Sequence, residues 1–239
     1  MQIKKHRKQE RLFLVEGAKS ITELIDSDYE THSLFLTEDF YKCCQDRLEK
    51  LRNTEVVVVE EGELAKAGTF ESNNAGIAIA GVKENVLSAP VRGEFALILD
   101  DVRDPGNLGT IIRIADWYGI TKLYCSESTA DFYNPKVIAG SMGSFTRVRP
   151  YYGSLEQVLQ NSDLPVYGAM LEGESAHTAN FSDEGGYLIM GNESRGLSKE
   201  LLEYVRYPIT IPRYGGAESL NVAVATAVIL DNVRKKIAV

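Results

Sequence analysis

Short apolar runs alternate with amphipathic segments along the first third of the chain. Strands are predicted at 12–15, 32–37, 55–59 and 76–81, and helices at 16–25, 38–52 and 61–67. The run Glu55 to Val59 has no polar alternation, so we expect that strand to be buried on both faces. Together these elements predict a small α/β domain with about four strands.

Residues 82–93 lose this periodicity and contain Ser88, Pro90 and Gly93, which predicts a linker at about 86–93 between domains at 1–85 and 94–239. In the second domain longer elements alternate. Strands are predicted at 95–99, 122–125, 146–149, 166–171, 187–190 and 209–211, and helices at 108–118, 135–144, 154–160, 199–205 and 220–236. Strands separated by helices of this length predict an α/β fold with a mostly parallel sheet covered on both faces.

The net charge is −8, from 26 Lys and Arg against 34 Asp and Glu. This balance argues against a non-specific coat for nucleic acid, because counterion release needs clustered cations. A local basic face is still compatible with it, and the first eleven residues carry one candidate cluster. Its members are Lys4, Lys5, Arg7, Lys8 and Arg11. A solvated terminus explains these residues about as well.

Other classes of protein lack support in this sequence. No secretory signal follows Met1, and no uncharged apolar stretch is long enough to predict a membrane span. Cys43, Cys44 and Cys125 form neither a disulfide framework nor zinc-ligand spacing, which favours a reducing cytoplasm. The three histidines are isolated, so we predict no metal site. The glycine-rich motifs of dehydrogenases and nucleotide triphosphatases and the nucleophile motif of serine hydrolases are missing.

The loop after the predicted strand 95–99 is the first candidate site, because ligands of parallel α/β sheets bind outside the carboxyl ends of the strands. Its sequence is Asp-Pro-Gly-Asn at 104–107, with Asn107 as the expected N-cap of the next helix. Alone, it is equally well a turn with a capped helix. Arg113 lies about two turns into that helix among isoleucines, and such an arginine is usually paired or directed at an anionic ligand.

Two later loops have similar character. In the segment from Gly191 to Ser198, glycines bracket Glu193 and Arg195, and the loop is either an internally ion-paired surface turn or a main-chain cradle for a small ligand. Ser198 is expected to cap the helix that follows it. In the segment 211–221, Ser219 is the expected cap of the final helix. Asn221 is then unexplained, because amides are unfavourable inside helices.

The segments DPGNLGTIIRIA (104–115), LIMGNESRGLS (188–198) and IPRYGGAESLNVAVA (211–225) resemble, in order and spacing, the three motifs of the SpoU (TrmH-type) RNA 2′-O-ribose methyltransferases of the SPOUT class. The front of the chain, with FLVEG at 13–17 and NAGIA at 74–78, resembles the L30e-like substrate-binding domain attached to many of these enzymes. This resemblance covers nearly the whole chain. It implies a trefoil knot in the catalytic domain and S-adenosylmethionine as the cofactor.

Residue roles follow from matching positions in these motifs. The implied catalytic group is Asn107, Arg113, Glu193, Ser219 and Asn221. The implied cofactor-binding group is Gly191, Asn192, Gly196, Ile211 and Leu220. We expect Arg113 to stabilise charge on the attacking ribose oxygen, since a guanidinium holds its own proton too tightly to serve as a base. Further arginines could converge on the site to contact phosphates. They are Arg103, Arg147, Arg149 and Arg195.

The sequence departs from the family pattern at Arg213, where methionine is frequent, and at Asn192 and Ser194, where small residues are common. The implied activity is 2′-O-methylation of structured RNA, with ribosomal RNA preferred because of the front domain. Transfer RNA as substrate, a non-enzymatic RNA-binding module and a small-molecule methyltransferase are the alternatives. A homodimer is expected, because the apolar, small-residue final helix would otherwise expose a face.

Overall fold

The computed structural model describes residues 1–51, 53–160 and 162–237, and it divides into two compact units. The first unit comprises Met1–Glu84 and Asp131–Thr146. The second comprises Asn85–Ala130 and the residues from Arg147 onward. The chain therefore leaves the second unit after Ala130, contributes a segment to the first, and returns at Arg147.

The described residues before position 85 form eight helices and strands. They are α1 (Lys4–Glu10), β1 (Leu12–Glu16), α2 (Ala18–Ile25), β2 (Thr31–Leu36), α3 (Glu38–Leu48), β3 (Glu55–Val58), α4 (Glu61–Ala67) and β4 (Gly76–Gly81). The sequence pattern did not predict α1. Helix α3 ends at Leu48, before the predicted end at Arg52, which lies outside the described residues.

The remaining elements mostly alternate between strand and helix. They are β5 (Phe95–Leu99), α5 (Pro105–Trp117), β6 (Lys122–Cys125), α6 (Pro135–Ser141), a 3-10 helix (Ser144–Thr146), β7 (Arg149–Tyr152), α7 (Leu155–Gln160), β8 (Val166–Ser175), β9 (Gly186–Met190), α8 (Lys199–Leu202), β10 (Tyr207–Thr210) and α9 (Val222–Ile237). The strand predicted at 146–149 is wrong. Thr146 ends the 3-10 helix, and both its main-chain N–H and its hydroxyl donate to the carbonyl of Gly143.

The sheet of the first unit has the order β1-β4-β2-β3. Strand β4 pairs antiparallel with β1 and β2, whereas β2 and β3 are parallel. The expected four strands are present, but β3 is not buried on both faces. It lies at the edge of the sheet, and Val58 is 46% exposed, because an edge strand has a neighbour on one side only.

The segment 131–146 completes the core of the first unit. Tyr133 and Phe145 from this segment contact Phe13 with ring centroids 4.7 and 5.9 Å away, and Tyr29 packs against Phe13 at 5.6 Å. The hydroxyls of Tyr29 and Tyr133 lie 3.4 Å apart. Aromatic rings contribute much buried area, so the first unit depends on residues far along the chain.

The sheet of the second unit has the order β10-β8-β9-β5-β6-β7, and each adjacent pair is parallel. This confirms the predicted parallel α/β fold. The central strands β5 and β9 are buried throughout. The expected trefoil knot stays a prediction.

Two classes of feature are absent from the described ranges. There, no helix combines the length and the apolar character needed to cross a membrane. Nor do His, Cys, Asp and Glu side chains in that part of the chain form a group of three or more that could hold a metal ion. The described cysteines are free thiols, and burial raises the pKa of Cys125 to about 12.

Candidate active site

The three loops predicted from the sequence all leave strands of the parallel sheet. They follow β5, β9 and β10, and β5 and β9 are direct neighbours. Because the strands of this sheet are parallel, all three loops leave from the same edge, the edge at which ligands of such sheets bind. The site lies entirely within the second unit.

A chain of side-chain hydrogen bonds joins the three loops. Asn221 donates from Nδ2 to Oδ1 of Asn107 over 2.8 Å, and Asn107 donates from Nδ2 to Oε1 of Glu193 over 2.6 Å. Each of these residues belongs to a different motif and was predicted as part of the catalytic group. Asn107 occupies the centre, so its position depends on both other loops.

Helix capping explains why Asn107 and Asn221 have these orientations, and it corrects two predictions. The N-cap of α5 is Asp104, whose side chain accepts the main-chain N–H of Asn107 over 2.8 Å. Asn107 therefore lies in the first turn, where its amide is available to the other loops. At α9, Oδ1 of Asn221 accepts the main-chain N–H groups of Ala223 and Val224, so Asn221 and not Ser219 is the cap.

The two serines have other environments than predicted. Ser198 is at the N-cap position of α8, but its side chain makes no capping bond, and its main-chain N–H donates to Asp100 over 2.7 Å. Ser219 is exposed and makes no hydrogen bond within the described ranges. The structure thus does not bring Ser219 into the network of the two asparagines and Glu193.

The loop after β9 closes on itself. Asn192 and Gly196 exchange main-chain hydrogen bonds of 3.1 and 2.9 Å, and Asn192 Oδ1 accepts the N–H groups of Ser194 and Arg195. Gly196 has φ +70°, and a Cβ at Gly191 would lie 2.5 Å from the main chain of Gly196. Both glycines are therefore required by the backbone. No ion pair joins Glu193 and Arg195 in the described structure, so the internally paired turn is not observed.

Asp101 is a site residue that the sequence reasoning missed. It has a left-handed backbone (φ +61°), its carbonyl accepts Nδ2 of Asn192 over 3.0 Å, and its carboxylate accepts Nε of Arg103 over 2.6 Å. The hydrogen bond from Arg103, aided by the charge of Arg195, lowers the pKa of this carboxyl below its ordinary value. The sequence signal that could have identified Asp101 is the pair of carboxylates, Asp100 and Asp101, directly after the buried strand β5.

The predicted arginine cluster is divided. Arg103 and Arg195 both act on Asp101, whereas Arg147 is bound by Asp116 over 2.8 Å. Arg113 is exposed on α5 and makes no ion pair or hydrogen bond within the described ranges. Of the two readings of Arg113, a guanidinium directed at an external anion is therefore favoured over an internally paired one.

The loop after β10 has features suited to an adenosine-containing cofactor. Ile211 is half-buried and Leu220 is 48% exposed, so both present apolar surface. In the described structure, no main-chain to main-chain hydrogen bond involves residues 211–220. A Cβ at Gly215 or Gly216 would meet no atom within 4 Å. The Ala217 carbonyl accepts Nη1 of Arg213 over 3.4 Å, and the other main-chain groups of this segment have no protein partner in the described structure. Such groups beside apolar surface suit the binding of a purine and ribose.

Comparison with known proteins identifies the family. Residues 94–231 match the SpoU rRNA Methylase family, and residues 1–78 match the MRM3-like substrate binding domain. The chain belongs to the SpoU family. The resemblance predicted from the three motifs is thereby confirmed, and so is the separate α/β substrate-binding domain at the front.

Several SpoU relatives align over nearly the full chain. A 23S rRNA (guanosine(2553)-2′-O)-methyltransferase of Bacillus subtilis is 31% identical, with 97% of this chain and 92% of the relative covered. A 23S rRNA (uridine(2479)-2′-O)-methyltransferase of Streptomyces viridochromogenes is 30% identical, with 95% and 84% covered. The AdoMet-bound rRNA methyltransferase from Sinorhizobium meliloti has a TM-score of 0.86 at 28% identity, with 98% of this chain and 91% of that chain covered.

Proposed function

We propose that this SpoU family member transfers a methyl group from S-adenosylmethionine to the 2′-hydroxyl of a ribose in ribosomal RNA. The observation that carries the proposal is the hydrogen-bonded chain from Asn221 through Asn107 to Glu193. It unites one residue from each motif at the carboxyl edge of the sheet, and its central member, Asn107, lies on the same helix as the unpaired Arg113. A pure binding module has no need of that arrangement.

The reaction forms a bond between the ribose oxygen and the methyl carbon, breaks the carbon–sulfur bond, and releases the hydroxyl proton. The cofactor supplies an electrophilic methyl group on a sulfonium. In this proposal the Arg113 guanidinium stabilises the negative charge that develops on the ribose oxygen. Asn107 orients the ribose, and Glu193 and Asn221 hold the Asn107 amide in one rotamer. The released proton passes to an RNA phosphate or to water.

For cofactor binding we propose the five residues implied by the family motifs. They are Gly191, Asn192, Gly196, Ile211 and Leu220. The closed turn from Asn192 to Gly196 supplies a main-chain edge, and the segment 211–220 supplies N–H and C=O groups that make no hydrogen bond to other main-chain groups in the described structure. Ser219 is kept as a proposed substrate contact, since its exposed hydroxyl is free to reach a ligand.

The share of this chain that aligns with its relatives favours ribosomal RNA over transfer RNA as the substrate. Relatives named as 23S rRNA methyltransferases align over 97% and 95% of this chain, including the front unit. A structure that concerns methylation of nucleotide 34 on tRNA covers only 61% of it, with a TM-score of 0.55 at 26% identity. The two rRNA relatives differ in modifying guanosine and uridine, so the shared scaffold leaves the target base open.

We also propose a homodimer in the cytoplasm. Apolar side chains of the second unit are exposed on α5 and α9 and in the loop before α9. They are Trp117 at 83%, Tyr214 at 90%, Leu220 at 48% and Val224 at 50%. A second copy would cover them. A sedimentation series that gives a monomer at every concentration would contradict the dimer. The free thiols of the described cysteines suit a reducing compartment.

The test of function is transfer of a radiolabelled methyl group from S-adenosylmethionine to unmodified 23S rRNA transcripts. We expect alkali-resistant label at a single ribose, because a 2′-O-methyl group blocks cleavage of the adjoining phosphodiester. RNA binding without transfer would favour the binding-module alternative. Transfer to tRNA transcripts alone would overturn the choice of ribosomal RNA.

A further inference from the structure

A groove lies wholly within the first unit, and Lys136 is the charged residue in its described lining. It encloses about 430 Å³, and its walls include Gln2, Thr69, Phe70, Asn134 and Lys136. Among the residues that the structure describes, no carboxylate lines it, although the protein carries a net charge of −8. A larger groove of about 690 Å³ in the second unit is lined by Asp231 as well as Lys235. The lining residues of the first unit's groove thus include a lysine and no carboxylate.

One wall is held by a buried carboxylate. Glu16 is 5% exposed and accepts hydrogen bonds from the main-chain N–H groups of Thr69 (2.9 and 3.0 Å) and Phe70 (3.4 Å), and from the hydroxyl of Thr69. The next residue, Gly17, has φ +86°, and a Cβ there would lie 3.3 Å from the Phe70 ring. A buried charge is costly unless it is fully hydrogen-bonded. Here it fixes the position of an aromatic ring at the groove.

Another wall of the groove is held by a buried guanidinium. Arg7 is 3% exposed, so it does not belong to the predicted surface cluster of the first eleven residues. It donates from Nη1 to the carbonyls of Met1 (3.0 Å) and Gln2 (2.8 Å), and from Nε and Nη2 to Asp131 (3.2 and 2.5 Å). Asp131 begins the segment that carries Asn134. Arg7 therefore ties the chain start to a segment outside the matched substrate-binding domain.

Two polar groups on these walls have unused hydrogen-bonding capacity, whereas the Gln2 amide already donates to the carbonyls of Ala67 and Gly68. Asn134 uses Oδ1 to accept the main-chain N–H of Lys136, and its Nδ2 has no partner within the described ranges. The same holds for the Lys136 ammonium, which is exposed and forms no ion pair there. Phe70 is half-buried, so part of its ring is accessible. An accessible ring, an amide and a lone cation together match one nucleotide of single-stranded RNA.

We propose that this groove binds an unpaired nucleotide of the substrate RNA. The base stacks on Phe70, the Lys136 ammonium pairs with a phosphate, and Asn134 Nδ2 donates to the base edge. Glu16 and Arg7 are positioning residues that hold the two walls. This site extends the proposed function, because it rests on RNA as the substrate, and it places recognition in residues outside the methyl-transfer loops.

The test uses the full chain and a short fluorescein-labelled oligouridine, with binding followed by anisotropy over a salt series. Phe70→Leu keeps apolar volume but removes the stacking face, and we expect roughly five- to hundredfold weaker binding. Lys136→Gln should reduce the slope of log K against log salt by about 0.7, the value for one lost phosphate contact on a single strand. Lys42→Gln is the control, because Lys42 lies on α3 and pairs with Glu38. We expect wild-type melting temperatures for all three.

The outcomes separate this site from the proposed function. Wild-type affinity and salt slope in both Phe70→Leu and Lys136→Gln would overturn the groove, as would failure of the wild-type chain to bind oligouridine. An equal loss in Lys42→Gln would also overturn it, since the effect would then be general charge. If the expected losses occur but no methyl reaches 23S rRNA, the groove stands and the proposed reaction fails. If the wild-type chain methylates 23S rRNA but the groove variants bind oligouridine as the wild type does, the proposed reaction stands and the groove fails.

Discussion

The two units are both α/β, yet polar side chains are brought together in different ways in each. In the second unit all strand pairs are parallel, so the loops after β5, β9 and β10 share one edge and Asn107 meets Glu193 and Asn221 there. In the first unit β4 runs against β1 and β2, which distributes the strand ends to both edges. Its groove is instead formed around buried charges. Topology thus places the site of the second unit, and ionic contacts shape that of the first.

The largest expected effect tests the buried charges of the first unit. Arg7→Met should lower the free energy of unfolding by about 3–5 kcal/mol, because the Asp131 carboxylate and two main-chain carbonyls lose their shared partner. Urea denaturation measures the change. Arg92→Met is the matched control, since Arg92 is 79% exposed in its pair with Glu184 and such pairs contribute about 0–1 kcal/mol. Equal losses in both variants would remove the special role of Arg7.

The next effect concerns chemistry in the second unit. Arg113→Ala should lower kcat for methyl transfer by roughly 10²–10³-fold, the usual cost of losing one group that stabilises developing oxyanion charge. The affinity for S-adenosylmethionine, measured by calorimetry, should be unchanged, because Arg113 lies outside the proposed cofactor loops. Arg113→Lys should recover part of the rate. A rate near that of the wild type for the alanine variant is the result that contradicts this role.

A smaller effect is expected from the asparagine network. Asn107→Ala removes hydrogen bonds to both Asn221 and Glu193, and we expect a loss of about 10- to 100-fold in kcat, because a hydrogen bond to a charged group contributes about 1.5–3 kcal/mol. Glu193→Gln and the double variant complete a mutant cycle. Additive losses in that cycle would show that Asn107 and Glu193 act independently.

The smallest effect is a pH dependence at Asp101. The hydrogen bond from Arg103 lowers the pKa of this carboxyl in the folded chain, so its stabilisation is complete above the unfolded value of about 4 and is lost as pH falls through the lowered folded value. Asp101→Asn should therefore have a slightly lower melting temperature than the wild type at neutral pH, and the difference is small because Arg103 is 60% exposed. The difference should vanish in acid. A constant difference at all pH values would exclude this ion pair as the cause.

Local patterns predicted much of the fold and the three residues of the hydrogen-bonded chain, whose catalytic roles stay predictions. The apolar runs at β4, β5 and β6 and the helix α4 have the predicted bounds, because their periodicity and flanking turn residues are local signals. Asn107, Glu193 and Asn221 were all selected from their loops. The caps of α5 and α9 were wrong, since the choice between Asp104 and Asn107 depends on which side chain the other loops engage.

By itself, the order of residues determined the alternation of strands and helices, the parallel sheet and the three motif loops, since each depends on neighbours along the chain. Only the tertiary structure decided that Arg7 is buried against Asp131, 124 positions away, and that residues 131–146 complete the first unit. The local sequence of the lysine-rich terminus is compatible with either a solvated or a buried Arg7. The partner that makes burial favourable is brought near only when the distant segments pack together.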